Sequence, residues 1–375
     1  MGMQDLDTRA EKGKMIAETF GQVVRLEEQA YKVRSQSLDR YYEVIGTEKG
    51  WECQCPDFVF RGLTCKHIWA VQFSFELRKA VEQSVVIQPL NIESCPSCAS
   101  HNVVKHGLRH NGYGNLQRFS CKQCGKRFVV NLGFEKMHAT PQMITSAMQL
   151  YFTGESFRNV QKFLLLQGVK VSHVAIYKWV AKYVSLMQEY VEKIQPKVGN
   201  AWRTDELYVK IKGNNKYLFA MMDDDTRFWI AQQVAAHKGT SDVRPMFREA
   251  VEIAGKKPKL LISDGAQNFH EAYLKEYRTR YIDSPQHERD IRLDGTVHNN
   301  KMERMNGELR DRERVMRSIK TEDSPIFKGL QLYHNYFRPH MALEGATPAE
   351  RAGIKIEGDN KWITLIHNAT RNRRG

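Results

Sequence analysis

No run of apolar residues in this chain is long enough to span a bilayer, which takes about 20 in succession. Nor does an apolar stretch follow the charged N-terminus MGMQDLDTRAEKGK, which argues against a secretory signal peptide and for a soluble cytoplasmic protein with no membrane partner. Carboxylates are in deficit. The 43 Asp and Glu stand against 57 Lys and Arg, a formal net charge of +14. An excess that large favours a polyanionic partner, nucleic acid before an acidic membrane. Cysteine is scarce, seven in all, and disulfides rarely persist inside cells, so these thiols need another explanation. At 375 residues, 41% of them hydrophobic, the chain has room for roughly two to four domains, each with its own core.

The first 50 residues read as a helix, with a stripe at Ile16, Phe20, Val23 and Val24, followed by strands. Next comes CQCPDFVFRGLTCKH, in which Cys53, Cys55, Cys65 and His67 form two tight pairs. Alternation puts each pair on one face of an extended segment, able to aim both ligands at one tetrahedral ion. Three thiolates and an imidazole suit zinc. The rival, three buried structural cysteines and a surface histidine, leaves the spacing unexplained. The stretch resembles the SWIM zinc-binding motif at all four ligand positions, which implies a small zinc module within residues 1–90. A helix after His67 is expected to pack on it.

Cys95-Pro-Ser-Cys98 and Cys121-Lys-Gln-Cys124 are the two halves of a zinc ribbon spanning residues 91–135. Short strands are expected near 103–105 and 117–120. A redox pair is the rival, but two matched CxxC units outside a thioredoxin-like context disfavour it. Two structural Zn²⁺ ions then use every cysteine. His101, His106 and His110 become surface or DNA-facing residues.

Residues 138–195 carry three helical patterns. Thr140-Pro141 opens the first, with Ile144, Ala147, Met148 and Tyr151 inside. Ser156 caps the second, which bears Val160, Phe163 and Leu164 and stops at Gly168. Ser172 caps the third, with Ile176, Trp179, Val180 and Tyr183 inside and His173, Lys178 and Lys182 outside. A trihelical helix-turn-helix fits this pattern, its third helix entering a major groove and Lys178 and Lys182 facing DNA. An ordinary trihelical connector fits the periodicity as well.

From Trp202 the pattern alternates. Asp205 shares a strand face with Leu207, Val209 and Ile211, and a carboxylate there is costly unless a cation or hydrogen bonds meet it. Strands at 217–222 and 228–234 flank Asp223-Asp224-Asp225, which reads better as a solvated hairpin turn than as a metal site. A short apolar strand at 260–262 runs out at Asp264-Gly265, where α/β enzymes place chemistry. Residues 298–320, HNNKMERMNGELRDRERVMRSIK, read as one amphipathic helix. Met302, Met305, Leu309, Met316 and Ile319 form its apolar stripe, and Glu303 lies among Arg310, Arg314 and Arg317 on another face.

WRTDE, SDG and NNKMER, followed by YHNYFRPHMALEGATPAERAGI, resemble the DDE transposases and integrase-like recombinases, most of all the insertion-sequence six family and its archaeal relatives. The resemblance implies a multidomain protein whose residues 198–350 form an α/β RNase H-like core, a mixed sheet flanked by helices. It also implies two Mg²⁺ or Mn²⁺ ions held by Asp205, Asp264 and Glu303, the last with Glu308 as rival. Arg310, Arg314 and Arg317 then hold phosphates. Arg338 and His340 are placed either near the site or in a structural tail. The expected activity is cleavage of double-stranded DNA at transposon ends and joining to target DNA. It takes place in a synaptic homo-oligomer on a prokaryotic nucleoid. A catalytically silent regulator predicts a damaged triad, and the triad is complete. A nuclease without strand transfer uses the same residues. Residues 351–375 are expected to be a basic tail that contacts DNA.

Overall fold

In the computed structural model the chain divides into two units, one of Met1–Ser84, Gln195–Arg310 and Pro339–Gly353, the other of Val85–Ile194, Asp311–Arg338 and Ile354–Gly375. The structure describes every residue except 1–2, 19–21, 28, 39, 49, 80–84, 91–93, 96, 112–113, 130–131, 136, 279–284, 290–299, 317–318 and 375.

The N-terminal part of the first unit runs α1 (Met3–Glu18), β1 (Val23–Glu27), β2 (Ala30–Arg34), β3 (Tyr41–Thr47), β4 (Gly50–Cys53), α2 (Pro56–Arg61) and α3 (Lys66–Lys79). The four strands form an antiparallel sheet in chain order. Ile16, Tyr31, Val33, Val44, Ile68 and Val71 share its core with the buried cysteines. The backbones of α1 and α3 approach closely at Gly13, where a Cβ would stand 2.4 Å from that of Trp69. The expected helical stripe divides: Ile16 is buried on α1, whereas Val23 and Val24 lie in β1, as their β-branching favours. Phe20 lies outside the described residues.

The second unit takes up the chain with β5 (Val85–Ile87) and a three-stranded antiparallel sheet of β6 (Val103–Asn111), β7 (Gly114–Cys121) and β8 (Arg127–Val129). These strands run longer than the short segments the sequence predicts, because a bulge between Lys105 and Leu108 lets the hairpin continue past its glycine. Next come α4 (Pro141–Thr153), α5 (Phe157–Leu166) and α6 (His173–Val191). The Thr140, Ser156 and Ser172 hydroxyls accept from the N–H groups of Met143, Asn159 and Ala175, closing each first turn. Ile144, Met148, Tyr151, Val160, Leu164, Ile176, Val180 and Tyr183 are buried between the helices, whereas Phe163 is exposed.

The first unit resumes with β9 (Ala201–Ile211), β10 (Asn214–Asp223) and β11 (Trp229–Ala235), an antiparallel meander. Then follow α7 (Thr240–Ala254), β12 (Leu260–Ile262), α8 (Gln267–Glu276), β13 (Gln286–Glu288) and α9 (Asn300–Glu313). β12 runs parallel to β9 and to β13, so the sheet is mixed, in the order β11-β10-β9-β12-β13, with β9 central. Residues 201–204 of this central strand are buried on both faces.

α9 ends at Glu313, not at residue 320 as expected. The N–H of Val315 bonds back to the carbonyl of Arg312, and this tight turn stops the helix, although Met316 and Ile319 beyond it are still buried. The chain continues through α10 (Pro325–Leu332), a π-helical turn (Tyr333–Phe337), a 3₁₀ turn (Met341–Leu343), α11 (Pro348–Arg351), β14 (Ile354–Ile356) and α12 (Lys361–Arg374). The expected basic tail is therefore a strand and a helix. β14 pairs in parallel with β5, and Trp362, Leu365, Ile366 and Ala369 recur at helical period and bury one face of α12. Residues 311–338 group with the ribbon and the three helices, not with the mixed sheet. No helix among the described residues is long and apolar enough to cross a membrane.

Candidate active site and zinc centres

Cys53 ends β4, Cys55 precedes α2, Cys65 precedes α3 and His67 sits in the first turn of α3; all four are buried. Only the first pair is on extended chain, because a helix begins between Cys65 and His67. His67 Nδ1 lies 3.9 Å from both Cys53 Sγ and Cys65 Sγ, and the four ligand atoms fall within 4.8 Å of one another. In the second unit Cys95 Sγ is 3.6 Å from Cys124 Sγ and Cys98 Sγ is 3.5 Å from Cys121 Sγ. The N–H groups of Ser97 and Cys124 point at Cys95 and Cys121 at 3.4 and 3.5 Å, as in a zinc knuckle. A tetrahedral site with Zn–S bonds of about 2.3 Å sets its sulfurs about 3.8 Å apart. Both donor sets fit a zinc ion on spacing and on chemistry.

The third cluster lies in the first unit. Asp205 projects from β9, and Asp264 follows the end of the neighbouring β12. Among the described residues, Asp205, Glu206 and Asp264 each bring one carboxylate oxygen within 4.8 Å of the other two. Asp205 is a hub: Oδ1 accepts the Glu206 backbone N–H at 2.9 Å and Oδ2 accepts Asn306 Nδ2 of α9 at 2.9 Å. Asp264 Oδ1 accepts the Ala266 N–H, and Gly265 is required next to it. Its φ is +86°, and a Cβ there would meet the Arg289 carbonyl at 2.9 Å.

Burial pushes the Asp205 carboxyl up to about 7; the Glu206 N–H opposes this, and the charges of Asp264, Glu206 and Glu303 add to it. Burial and Asp264 likewise raise Glu206. Glu303, exposed on α9, thus acts on Asp205 electrostatically while standing outside the tight set. Glu308 is half-buried elsewhere on the same helix. A half-buried gathering of hard oxygen donors with excess negative charge fits Mg²⁺ or Mn²⁺.

The Asp223–Asp225 turn is not solvated. Asp223 and Asp224 are both 0% exposed. Arg203 Nε donates to Asp224 Oδ1, and Lys301 Nζ donates to the same oxygen at 2.9 Å, with Arg203 0% and Lys301 4% exposed. Burial pushes Asp224 up, but Arg203 and then Lys301 outweigh it and hold it below the ordinary carboxylate range. Asp223 closes the turn by accepting the Thr226 N–H and hydroxyl. This buried group ties α9, two residues before Glu303, to the strand that carries Asp205. Beside Asp264, Ser263 Oγ lies 2.9 Å from His287 Nε2, and burial pulls His287 down to about 4, so the ring stays neutral.

Two residues of this site escape sequence reasoning. Strict alternation assigns Glu206 to the face opposite Asp205. Asn306 carries only a faint signal, its place one helical turn after Glu303 in NNKMERMN. Of the expected DNA contacts, Lys178 is exposed on α6. Lys182 Nζ is turned back to the Gly133 carbonyl at 3.4 Å. Arg310 is exposed on α9, Arg314 lies past the helix end and pairs with Asp311 at 3.7 Å, and Arg317 lies outside the described residues. His340 and Ala346 bond across the turn before α11.

Sequence families agree with this layout. A DDE domain matches residues 199–340 and a SWIM zinc finger matches residues 42–72. Among curated proteins, the transposase for insertion sequence-like element IS431mec of Staphylococcus aureus is 25% identical over 221 residues, 57% of this chain and 94% of the relative. The transposase for insertion sequence element IS257 in transposon Tn4003 of the same species matches at the same 25% over 221 residues, with the same coverage of both chains. Among solved structures, the HTLV-2 integrase catalytic core domain in complex with magnesium covers 42% of this chain and 98% of that one, at 17% identity and a TM-score of 0.31. The simian T-cell lymphotropic virus intasome in complex with the PP2A regulatory subunit B56 gamma covers 56% and 74%, at 12% identity and a TM-score of 0.33.

Proposed function

We propose that this chain, whose residues 199–340 match a DDE domain and whose residues 42–72 match a SWIM zinc finger, is an insertion-sequence transposase that binds the ends of its element and catalyses metal-dependent DNA cleavage and strand transfer. The observation that carries the reading is the meeting of Asp205, from the central strand, with Asp264, past the end of the next strand, inside the DDE domain.

In this reading Asp205, Asp264 and Glu303 hold two divalent ions, with Glu206 adding an oxygen at the strand side. Magnesium, when bound, supplies the charge that stabilises the phosphorus centre during in-line displacement. Asn306 orients Asp205, and the Arg203–Asp224–Lys301 group fixes the helix that presents Glu303. Arg310, Arg314 and Arg317 position phosphates. The helices α4–α6, with Lys178 and Lys182, and the zinc modules recognise element ends. A synaptic homo-oligomer holds two ends together in the cytoplasm of a prokaryotic cell, at the nucleoid.

The test incubates the full chain and Mg²⁺ with both uncut and pre-cut duplexes that carry the DNA flanking the reading frame, the uncut ones to report cleavage and the pre-cut ones to report joining. Joined products are expected, and Asp205→Asn, Asp264→Asn and Glu303→Gln should each abolish them. Cleavage without joining indicates a nuclease; neither product indicates a silent DNA-binding descendant.

A further inference from the structure

The zinc ribbon carries an organised basic surface that its cysteines do not explain. Between Glu93 and Glu135 the sequence has no Asp or Glu, while Lys105, Arg109, Arg118, Lys122, Lys126 and Arg127 all fall there. The strand register arranges three of these cations. On β7, positions 116, 118 and 120 share one face. Arg109 of β6 pairs with Leu116, Arg118 pairs with Val129, and Arg127 of β8 pairs with Ser120. One arginine from each strand therefore lies on the same face, and each is displaced by two residues from the last. Neighbours in such a diagonal stand about 7–8 Å apart.

The opposite face differs. It bears Lys105 together with Phe119 and Phe128, whose rings stack with centroids 6.0 Å apart. Arg109 and Arg127 are exposed and Arg118 half-buried, and among the described residues no carboxylate pairs with any of the three. Like charges side by side on a small sheet repel one another, so the row is stabilised by an anion that is itself a row. Along one strand of duplex DNA a phosphate recurs every ~3.4 Å of helix axis, so an arginine diagonal of this length meets several in succession. Guanidinium groups suit this role through paired N–H donors.

We propose that the ribbon face bearing Arg109, Arg118 and Arg127 is a track that grips the phosphates of one strand of duplex DNA. The inference rests on the transposase reading for the choice of duplex DNA. The contact fixes the register of the protein on the duplex and does not read its bases.

The experiment measures fluorescence anisotropy of the full, zinc-loaded chain on a mixed-sequence duplex of about 40 base pairs, with salt varied between about 50 and 200 mM. Arg109→Gln/Arg118→Gln/Arg127→Gln should make the slope of log K against log salt shallower by about 2.7, that is about 0.9 per lost phosphate contact. Lys105→Gln, on the other face, should leave the slope unchanged. Zinc content reports that the ribbon is intact; if the triple variant loses zinc, Arg109→Gln alone is used, with an expected change of about 0.9. A wild-type slope in the arginine variant, or an equal change from Lys105→Gln, overturns the track while leaving the transposase reading in place. A wild-type chain that fails to bind the duplex at any salt overturns that reading, and the track with it.

Discussion

Asn306 donates a 2.9 Å hydrogen bond from Nδ2 to Oδ2 of Asp205, joining two residues 101 positions apart in sequence. Asn306 is buried and lies one helical turn beyond Glu303. The bond therefore orients one carboxylate of the site and at the same time registers the helix that carries Glu303. Because the Glu206 N–H takes the other Asp205 oxygen, the side chain has little rotational freedom. Replacing Asn306 by Ala should lower strand transfer by about 10–100-fold, the usual effect of losing a partner of a metal-holding group. Unfolding monitored alongside separates this from loss of the fold: an equal loss of folded protein and of activity contradicts a positioning role.

Asp224 Oδ1 accepts hydrogen bonds from two buried cations at once, Arg203 and Lys301. Asp224→Ala leaves Arg203 and Lys301 without their shared acceptor and should cost about 3–5 kcal/mol in urea unfolding at neutral pH. A variant as stable as the parent would mean that water reaches these cations and that the group does not anchor α9.

The pH response follows from Asp205. Its folded value of about 7 lies above the ordinary 3.8, so between those limits the folded, metal-free protein holds a proton that the unfolded chain has released. This group's contribution to stability is therefore fully present below about 3.8, falls as pH rises, and is lost above about 7. A divalent ion competes with that proton. The rise in melting temperature caused by Mn²⁺ should grow as pH increases through about 7 and be strongly reduced in Asp205→Asn. A metal-induced rise that is flat with pH in the wild type speaks against Asp205 as a ligand.

Zinc should be found at two equivalents per chain, and Cys98→Ser should remove one of them while leaving the SWIM site loaded. Each ion is worth on the order of 10 kcal/mol of folding free energy in small modules. Chelation should therefore expose the ribbon to protease near β6 and β7 without melting the mixed sheet. Metal analysis giving one ion in both proteins rules out the second site.

Short-range features were legible in the sequence. Thr140, Ser156 and Ser172 announce their helices because a capping hydroxyl needs only an N–H three residues on. The cysteine pairs announce their knuckles for the same reason, and the apolar run at 260–262 is the strand it looks like. Legibility failed where the deciding partner was remote. Asp224 has the look of a turn residue, yet its environment is set by Arg203 on the central strand and by Lys301 far along the chain. The C-terminal basic residues suggested a tail, while the apolar spacing of Trp362, Leu365, Ile366 and Ala369 already encoded a packed helix. Glu206 defeated strict alternation.

The sequence by itself determined the kinds of chemistry available: two sets of soft donors at zinc spacing, hard carboxylates on and after strands, and an excess of cations. Those follow from side-chain identity and near-neighbour geometry, which the chain fixes locally. Tertiary structure alone decided which carboxylates meet and which are paid for by a cation, because the cost of a charge depends on every group that folding brings within a few ångströms of it.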